Sequence, residues 1–170
     1  MTRDHGFTLV ELLIVVMIIG ILAGIAASGL LRARSAANES SAIGALRTIT
    51  VAQIAYSSAC ANGNFARDLS QLGVVGGREA FLPPDLSGAA IVQKSGFLLQ
   101  LAPSTGAVAA AADCNGTPTQ TGYYARAEPI TYGLTGNRSF ATTSPSGVIW
   151  QTYAAAAPGE PFVPPARPVQ

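Results

Sequence analysis

Imidazole is nearly missing from this chain: among 170 residues there is one histidine, His5, close to the first residue. A Ser-His-Asp or Cys-His site, a His-ligated zinc or a haem would have that single ring to use, and none once the N-terminal end is removed. Charge is also sparse, at 11% of residues with a net of +1. That balance argues against electrostatic binding of nucleic acid. It also requires some stretch to lie where charges are unwelcome. The acidic residues Glu39, Asp68, Glu79, Asp85, Asp113, Glu128 and Glu160 stand singly and form no evident catalytic pair, so no enzyme is expected. Two cysteines cannot make a four-ligand zinc site, and calcium would need converging oxygens that the sequence does not cluster. No cofactor and no metal are expected.

What the chain does have lies at its start. From Phe7 to Leu31 it is apolar with one charge, Glu11, and 25 helical residues extend roughly 37 Å, enough to cross a hydrocarbon layer of about 30 Å. Two other readings compete. A secretory signal peptide cut near Ala26-Ala27-Ser28 would have a shorter apolar core and no carboxylate near its start. A plain single-pass anchor leaves Glu11 unexplained. Arg32 and Arg34 follow the run while only Arg3 precedes it, offset by Asp4, so the positive-inside rule weakly favours a cytoplasmic C-terminal part. An exported head with paired cysteines requires the opposite orientation, which is preferred because the charge bias is small.

Glu11 needs a partner, because a carboxylate at the centre of a membrane helix costs about 2.5 to 3.5 kcal/mol. A cut between Gly6 and Phe7 would place a new α-amino group four residues away, at the positive end of the helix dipole. Between stacked copies the carboxylate could neutralise a neighbour's amino terminus.

Gly6-Phe7-Thr8-Leu9-Val10-Glu11 followed by an apolar helix resembles the class III leader of type IV prepilins and the related pseudopilins. The resemblance implies cleavage by prepilin peptidase after Gly6, N-methylation of Phe7, and a role for Glu11 in filament assembly. It continues through Asn38-Glu39-Ser40-Ser41-Ala42 and Leu46-Arg47-Thr48-Ile49, and more weakly through Gly136 to Phe140 and Ser146 to Ile149. Where many type IV pilins place a proline within this helix, the chain has Ala27-Ser28-Gly29. Gly20, Gly24 and Gly29 each weaken the helix by roughly 1 kcal/mol relative to alanine. They also allow close helix packing through small residues.

The partners implied are copies of the chain itself in a helical filament, prepilin peptidase, the inner-membrane pilus assembly machinery, and membrane lipid before assembly; nucleic acid is not among them. The expected location is the bacterial inner membrane as a single-pass precursor, then an extracellular pilus or a periplasmic filament. A type II secretion pseudopilin, and behind it a membrane-anchored binding or enzymatic domain, are the rival readings.

The fold expected is α+β: one long N-terminal helix, membrane half plus amphipathic half, packed on a small antiparallel sheet in the type IV pilin manner. The segments are a leader at 1–6, a membrane and filament-core half at 7–31, an amphipathic half at 32–58, a head at 59–157 and a proline-rich tail at 158–170. In the amphipathic half Ala42, Leu46, Ile49, Ala52 or Gln53, and Tyr56 recur at helical spacing, with Ile43 and Ile54 broadening the stripe, while Arg32, Arg34, Glu39 and Arg47 should stay in water or face neighbours. A short helix is expected at Ala66 to Leu72, and extended chain at Pro83-Pro84. Strands are expected at Gly96 to Ala102, Gly122 to Glu128, Arg138 to Thr143 and Gly147 to Tyr153. The last two should form a hairpin through Ser144-Pro145-Ser146-Gly147.

Pro103 to Thr121 reads as a long loop, with Ala107 to Ala112 as strand or helical turn within it. The tail from Pro158 should be extended and poorly ordered. Cys60 and Cys114 are a candidate disulfide; closing about 54 residues contributes roughly 4 kcal/mol by chain entropy. Three sequon matches, at Asn38, Asn115 and Asn137, and a cationic aromatic set of Tyr123, Tyr124, Arg126, Tyr132, Arg138 and Phe140 carry little weight, the latter because alternating strand residues split between two faces.

Overall fold

The computed structural model describes residues 7–73 and 80–169, and at residues 27 and 28 the backbone alone. The chain divides into two compact units, one ending at Arg34 and the other beginning at Ser35. The first is the start of helix α1, which runs Leu9–Ala59. Its most apolar stretch is long and apolar enough to cross a membrane and is 0% buried by the chain's own residues.

The second unit is an α+β head built on the remainder of α1. Ala42, Ala45, Leu46, Ile49, Ala52, Gln53 and Tyr56 recur every three or four residues and are buried on one helical face. Ile43 packs at the edge of this face as expected, but Ile54 falls with Arg47 and Val51 on the other face and is exposed, one helical position from the buried Gln53. Asn62 and Gly63, with φ of 51° and 88°, end the helical path in the left-handed region, where glycine and asparagine are tolerated best.

The helix packs on a six-stranded antiparallel sheet of order β1-β2-β5-β6-β7-β8, comprising Ile91–Lys94, Phe97–Pro103, Tyr123–Pro129, Ser139–Thr143, Ile149–Thr152 and Arg167–Pro168. On β2 the alternating Phe97, Leu99 and Leu101 are buried, as are Tyr123, Ala125 and Ala127 on β5. β3 (Ala109–Ala112) and β4 (Pro118–Gln120) form a separate hairpin.

Each expected strand is present within one or two residues of its expected start. β1 has no counterpart among the expected strands; it joins β2 through Ser95 and Gly96, whose φ values of 47° and 74° suit a two-residue turn with both central residues left-handed. The expected long loop contains the β3–β4 hairpin. The expected helix at 66–72 shrinks to a 3₁₀ turn at Ser70–Leu72. There Asp68 Oδ1 accepts from Gln71 N–H, and Gln71 Oε1 accepts from Arg67 N–H, so side chains take donors a longer helix would use. At Pro83-Pro84 only Pro83 is extended; Pro84 opens a one-turn helix, α2 (Pro84–Ser87), where its missing N–H costs nothing.

The tail is held rather than loose. β8 pairs with β7, Phe162 stacks on Trp150 at 5.3 Å, and Tyr124 O–H donates to the Pro158 carbonyl at 2.8 Å. Glu160 accepts from Thr105 N–H at 2.6 Å and from the Thr143 hydroxyl. Further along the same face, Ser139 Oγ donates to the Ala154 carbonyl at 2.6 Å. These contacts explain why β6 has four successive buried residues, Ser139 to Thr142, where a strand covered on one face would alternate.

The other correction concerns Glu39. Its side chain is 7% exposed and its Oε2 takes a fork from Arg138, Nε at 2.8 Å and Nη2 at 2.7 Å. Its Oε1 accepts the backbone N–H groups of Asn137 and Arg138, at 2.7 and 3.1 Å. Beside it Asn38 Nδ2 donates to the Thr135 carbonyl at 3.0 Å, and Ser41 Oγ donates to Ser95 Oγ at 2.9 Å. Burying a carboxylate is tolerable only with such pairing, and a water-facing position would not need it. Replacing Glu39 by alanine should therefore destabilise the head by about 2 to 4 kcal/mol, against less than about 0.5 kcal/mol for Arg47→Ala on the exposed face. Denaturant unfolding of the full-length protein in detergent, followed by circular dichroism, measures both.

Candidate functional site

The N-terminal segment is built around one local device. Thr8 stands immediately before α1, its carbonyl accepting from Leu12 N–H at 3.3 Å. Its N–H and hydroxyl both donate to Glu11 Oε2, at 2.9 and 2.8 Å, and Glu11 N–H donates back to Thr8 Oγ1 at 3.2 Å. This is a capping box: residue and reciprocal partner three apart satisfy donors that the first helical turn leaves open. The carboxylate also meets the positive end of the helix dipole.

The α-amino group expected as partner of Glu11 would exist only after cleavage before Phe7; within the chain the carboxylate bonds Thr8. The signal is present in the sequence, since Thr8 and Glu11 have capping-box spacing ahead of an apolar run. Glu11 Oε1 takes no hydrogen bond among the described residues. Phe7 is exposed and precedes the first helical residue. Gly6, the leader 1–6 and Glu79 lie outside the described residues.

A second polar cluster lies at the far end of α1. Cys60 and Cys114 are joined by a disulfide with Cα atoms 4.9 Å apart. Next to it, Tyr56 O–H donates to Asp113 Oδ2 at 2.6 Å, and Gln71 Nε2 donates to Tyr56 Oη at 2.6 Å and to Asp113 Oδ2 at 3.2 Å. Asp113 Oδ1 accepts the N–H groups of Asn115 and Thr117, both at 2.8 Å, which shapes the turn carrying Cys114.

Burial opposes the charge on Asp113, but the donors from Tyr56, Thr117, Gln71 and Asn115 outweigh it and hold the carboxyl below its usual value. Burial first, then the bond to Asp113 and its charge, push the Tyr56 phenol well above its ordinary value. The carboxylate thus stays charged and the phenol protonated across neutral pH. Such a pair locks a turn in place; it is not tuned to pass a proton near neutrality.

Of the cationic aromatic set, Tyr123 and Phe140 are buried in the core, while Tyr124 lies toward Phe162 and Arg126 bonds Gln100 on the opposite face of the sheet. Burial holds the Tyr124 hydroxyl up at about 12. Arg138 is committed to Glu39. The set does not form one surface.

Residues 1–27 match the family model described as the prokaryotic N-terminal methylation motif. The motif supports a type IV pilin-like precursor, processed by prepilin peptidase. The match covers the leader, Phe7, the Thr8–Glu11 box and most of the apolar segment, and ends before the head begins. No curated protein and no solved structure matches the chain. The motif and the apolar helix are together consistent with a membrane-anchored precursor.

The Asp113 lock sets a pH dependence. Because its carboxyl sits below the usual 3.8 in the folded chain, its contribution is fully present above that value and is lost as pH falls through the depressed one. Asp113→Asn should lower head stability by about 1 to 3 kcal/mol at pH 7, and the gap from wild type should narrow as pH falls below 3.8. Thermal unfolding of both proteins across that range checks it.

Proposed function

We propose that this protein is a structural, major-pilin-like subunit of a type IV pilus, cut by prepilin peptidase between Gly6 and Phe7, methylated at Phe7, and polymerised through α1. The observation that carries the reading is the joining of a methylation motif to a helix whose apolar half has no cover in its own chain and whose remainder is the spine of a folded head. In the precursor lipid would cover the apolar half; in the filament, other copies would. Because lipid is as apolar as a neighbouring helix, that exchange gains little from burial alone, and polar contacts must set the register. Glu11 is suited to that role, since Thr8 holds its Oε2 while its Oε1 is left for the α-amino group of an adjacent copy's Phe7. Cys60 and Cys114 would close in the oxidising compartment outside the inner membrane.

Mass spectrometry of the mature N-terminus should find a chain beginning at methylated Phe7. Gly6→Ala or a bulkier residue should impair cleavage. Glu11→Ala should leave the precursor processed but cut filament yield at least tenfold by shearing and electron microscopy. A mature chain that retains Met1 to Gly6, or wild-type filament yield from Glu11→Ala, overturns the reading. Failure to find surface filaments, with processing intact, would favour the pseudopilin role instead.

A further inference from the structure

Arg32 and Arg34 are exposed, and among the described residues neither makes a hydrogen bond or ion pair. Three features of their setting select a ligand. Depth is the first: 21 residues of helix separate Glu11 from Arg32, a rise of about 31 Å, close to the hydrocarbon thickness of about 30 Å. A bilayer that meets the Thr8–Glu11 cap at one interface therefore meets Arg32 at the other, with Arg34 about 3 Å further out.

Direction is the second. Two residues turn an α-helix through about 200°, so the arginines leave opposite sides of α1. A single partner helix docks on one side of α1, whereas in the precursor lipid would reach both sides.

The third is the supply of carboxylates on a neighbouring copy. In the head Glu39 is tied to Arg138, Asp85 to Lys94, Glu128 to Arg126, Asp113 to Tyr56 and Glu160 to Thr105. Asp68 bonds within its own turn, to Ser70 and Gln71. Among the described residues of the head, a second copy thus offers few carboxylates without a partner, whereas a leaflet offers phosphates in excess.

We infer that Arg32 and Arg34 form a phospholipid-binding pair, each guanidinium engaging the phosphate of an anionic glycerophospholipid in the leaflet from which the head emerges. The planar fork of arginine matches phosphate oxygens in paired hydrogen bonds, and its stem can cover apolar surface while the charge reaches the headgroups. The inference rests on the membrane-anchored precursor of the proposed function. It accounts for cations on the exported side of the span: there they read lipid headgroups and do not direct topology. Assembly would then strip two headgroups from each subunit, a resistance to extraction that the assembly machinery must overcome.

The test is made on the full-length precursor reconstituted in phosphatidylcholine vesicles, with a trace of spin-labelled phosphatidylglycerol or spin-labelled phosphatidylcholine. The motion-restricted lipid around the helix is read by electron paramagnetic resonance. Wild type should prefer the anionic lipid about fivefold at low salt, less at high salt, in line with the attraction of one basic residue at a membrane surface. Arg32→Gln combined with Arg34→Gln should bring the preference to about one, and the corresponding double Lys variant should retain most of it. Equal restriction of both lipids by wild type, or an undiminished preference in the double Gln variant, overturns the inference. Because no filament forms in this experiment, its failure leaves the pilus reading standing, which fails instead on the mature N-terminus and the Glu11 variant.

Discussion

An apolar helical segment without cover from its own chain is the constraint under which the rest of this protein is organised. From Phe7 to the end of the first unit almost every large side chain is exposed to whatever surrounds it. Water is a poor surrounding for such a surface, which suits lipid or other apolar helices. The polar devices along α1 follow from that. The Thr8–Glu11 box satisfies the helix start with groups from the same turn, so it needs no second chain. The arginines come only after an apolar stretch of about hydrocarbon thickness. Among the described residues the glycines of the segment, at 20, 24 and 29, meet no neighbouring atom, so their lack of side chains serves no packing there.

The head solves a different problem, fixing one face of the same helix to a sheet. Apolar packing does most of it, with Leu46, Ile49 and Tyr56 fully buried in one core with residues of β2, β5 and β6. Packing of this kind is not strongly directional, and register comes from the polar ends. At one end Asn38, Glu39 and Ser41 bond the turns after β1 and β5. At the other, Tyr56 and Cys60 fix the turn at Asp113 and Cys114. In the middle Gln53 exchanges two hydrogen bonds with the backbone of Ala66. The buried polar groups among them, on Glu39, Gln53 and Tyr56, thus reach segments outside the helix, as burial of such groups requires.

Much of this is legible in the sequence, for identifiable reasons. The apolar run, the helical spacing from Ala42 to Tyr56 and the alternation in β2 and β5 are periodic signals long enough to read in one chain. Glu39 escapes such reading because a single charged residue on an amphipathic helix has no local mark of burial. Its partner lies 99 residues away, and only the fold brings Arg138 beside it. Asp113 stands as one isolated acid in the sequence for the same reason. The tail misleads because its five prolines argue against regular structure. They do not argue against being held, since a segment can dock through ring stacking, a carboxylate and two strand residues without repeating backbone geometry. The Thr8–Glu11 spacing, by contrast, is plainly visible; a partner sought in another chain hides the one three residues away.

The binding of residues 158–169 over β5, β6 and β7 bears on the order in which the head can be completed. Trp150 and the far side of β6 gain their last cover only when Phe162, Arg167 and Val169 have been delivered, on the order of a hundred residues after the helix that carries the core. A chain folding from its N-terminal side would therefore hold an open sheet edge at β7 until those residues had followed. During that interval the unfinished head is exposed to aggregation through strand addition, and a chaperone would have a defined window in which to act.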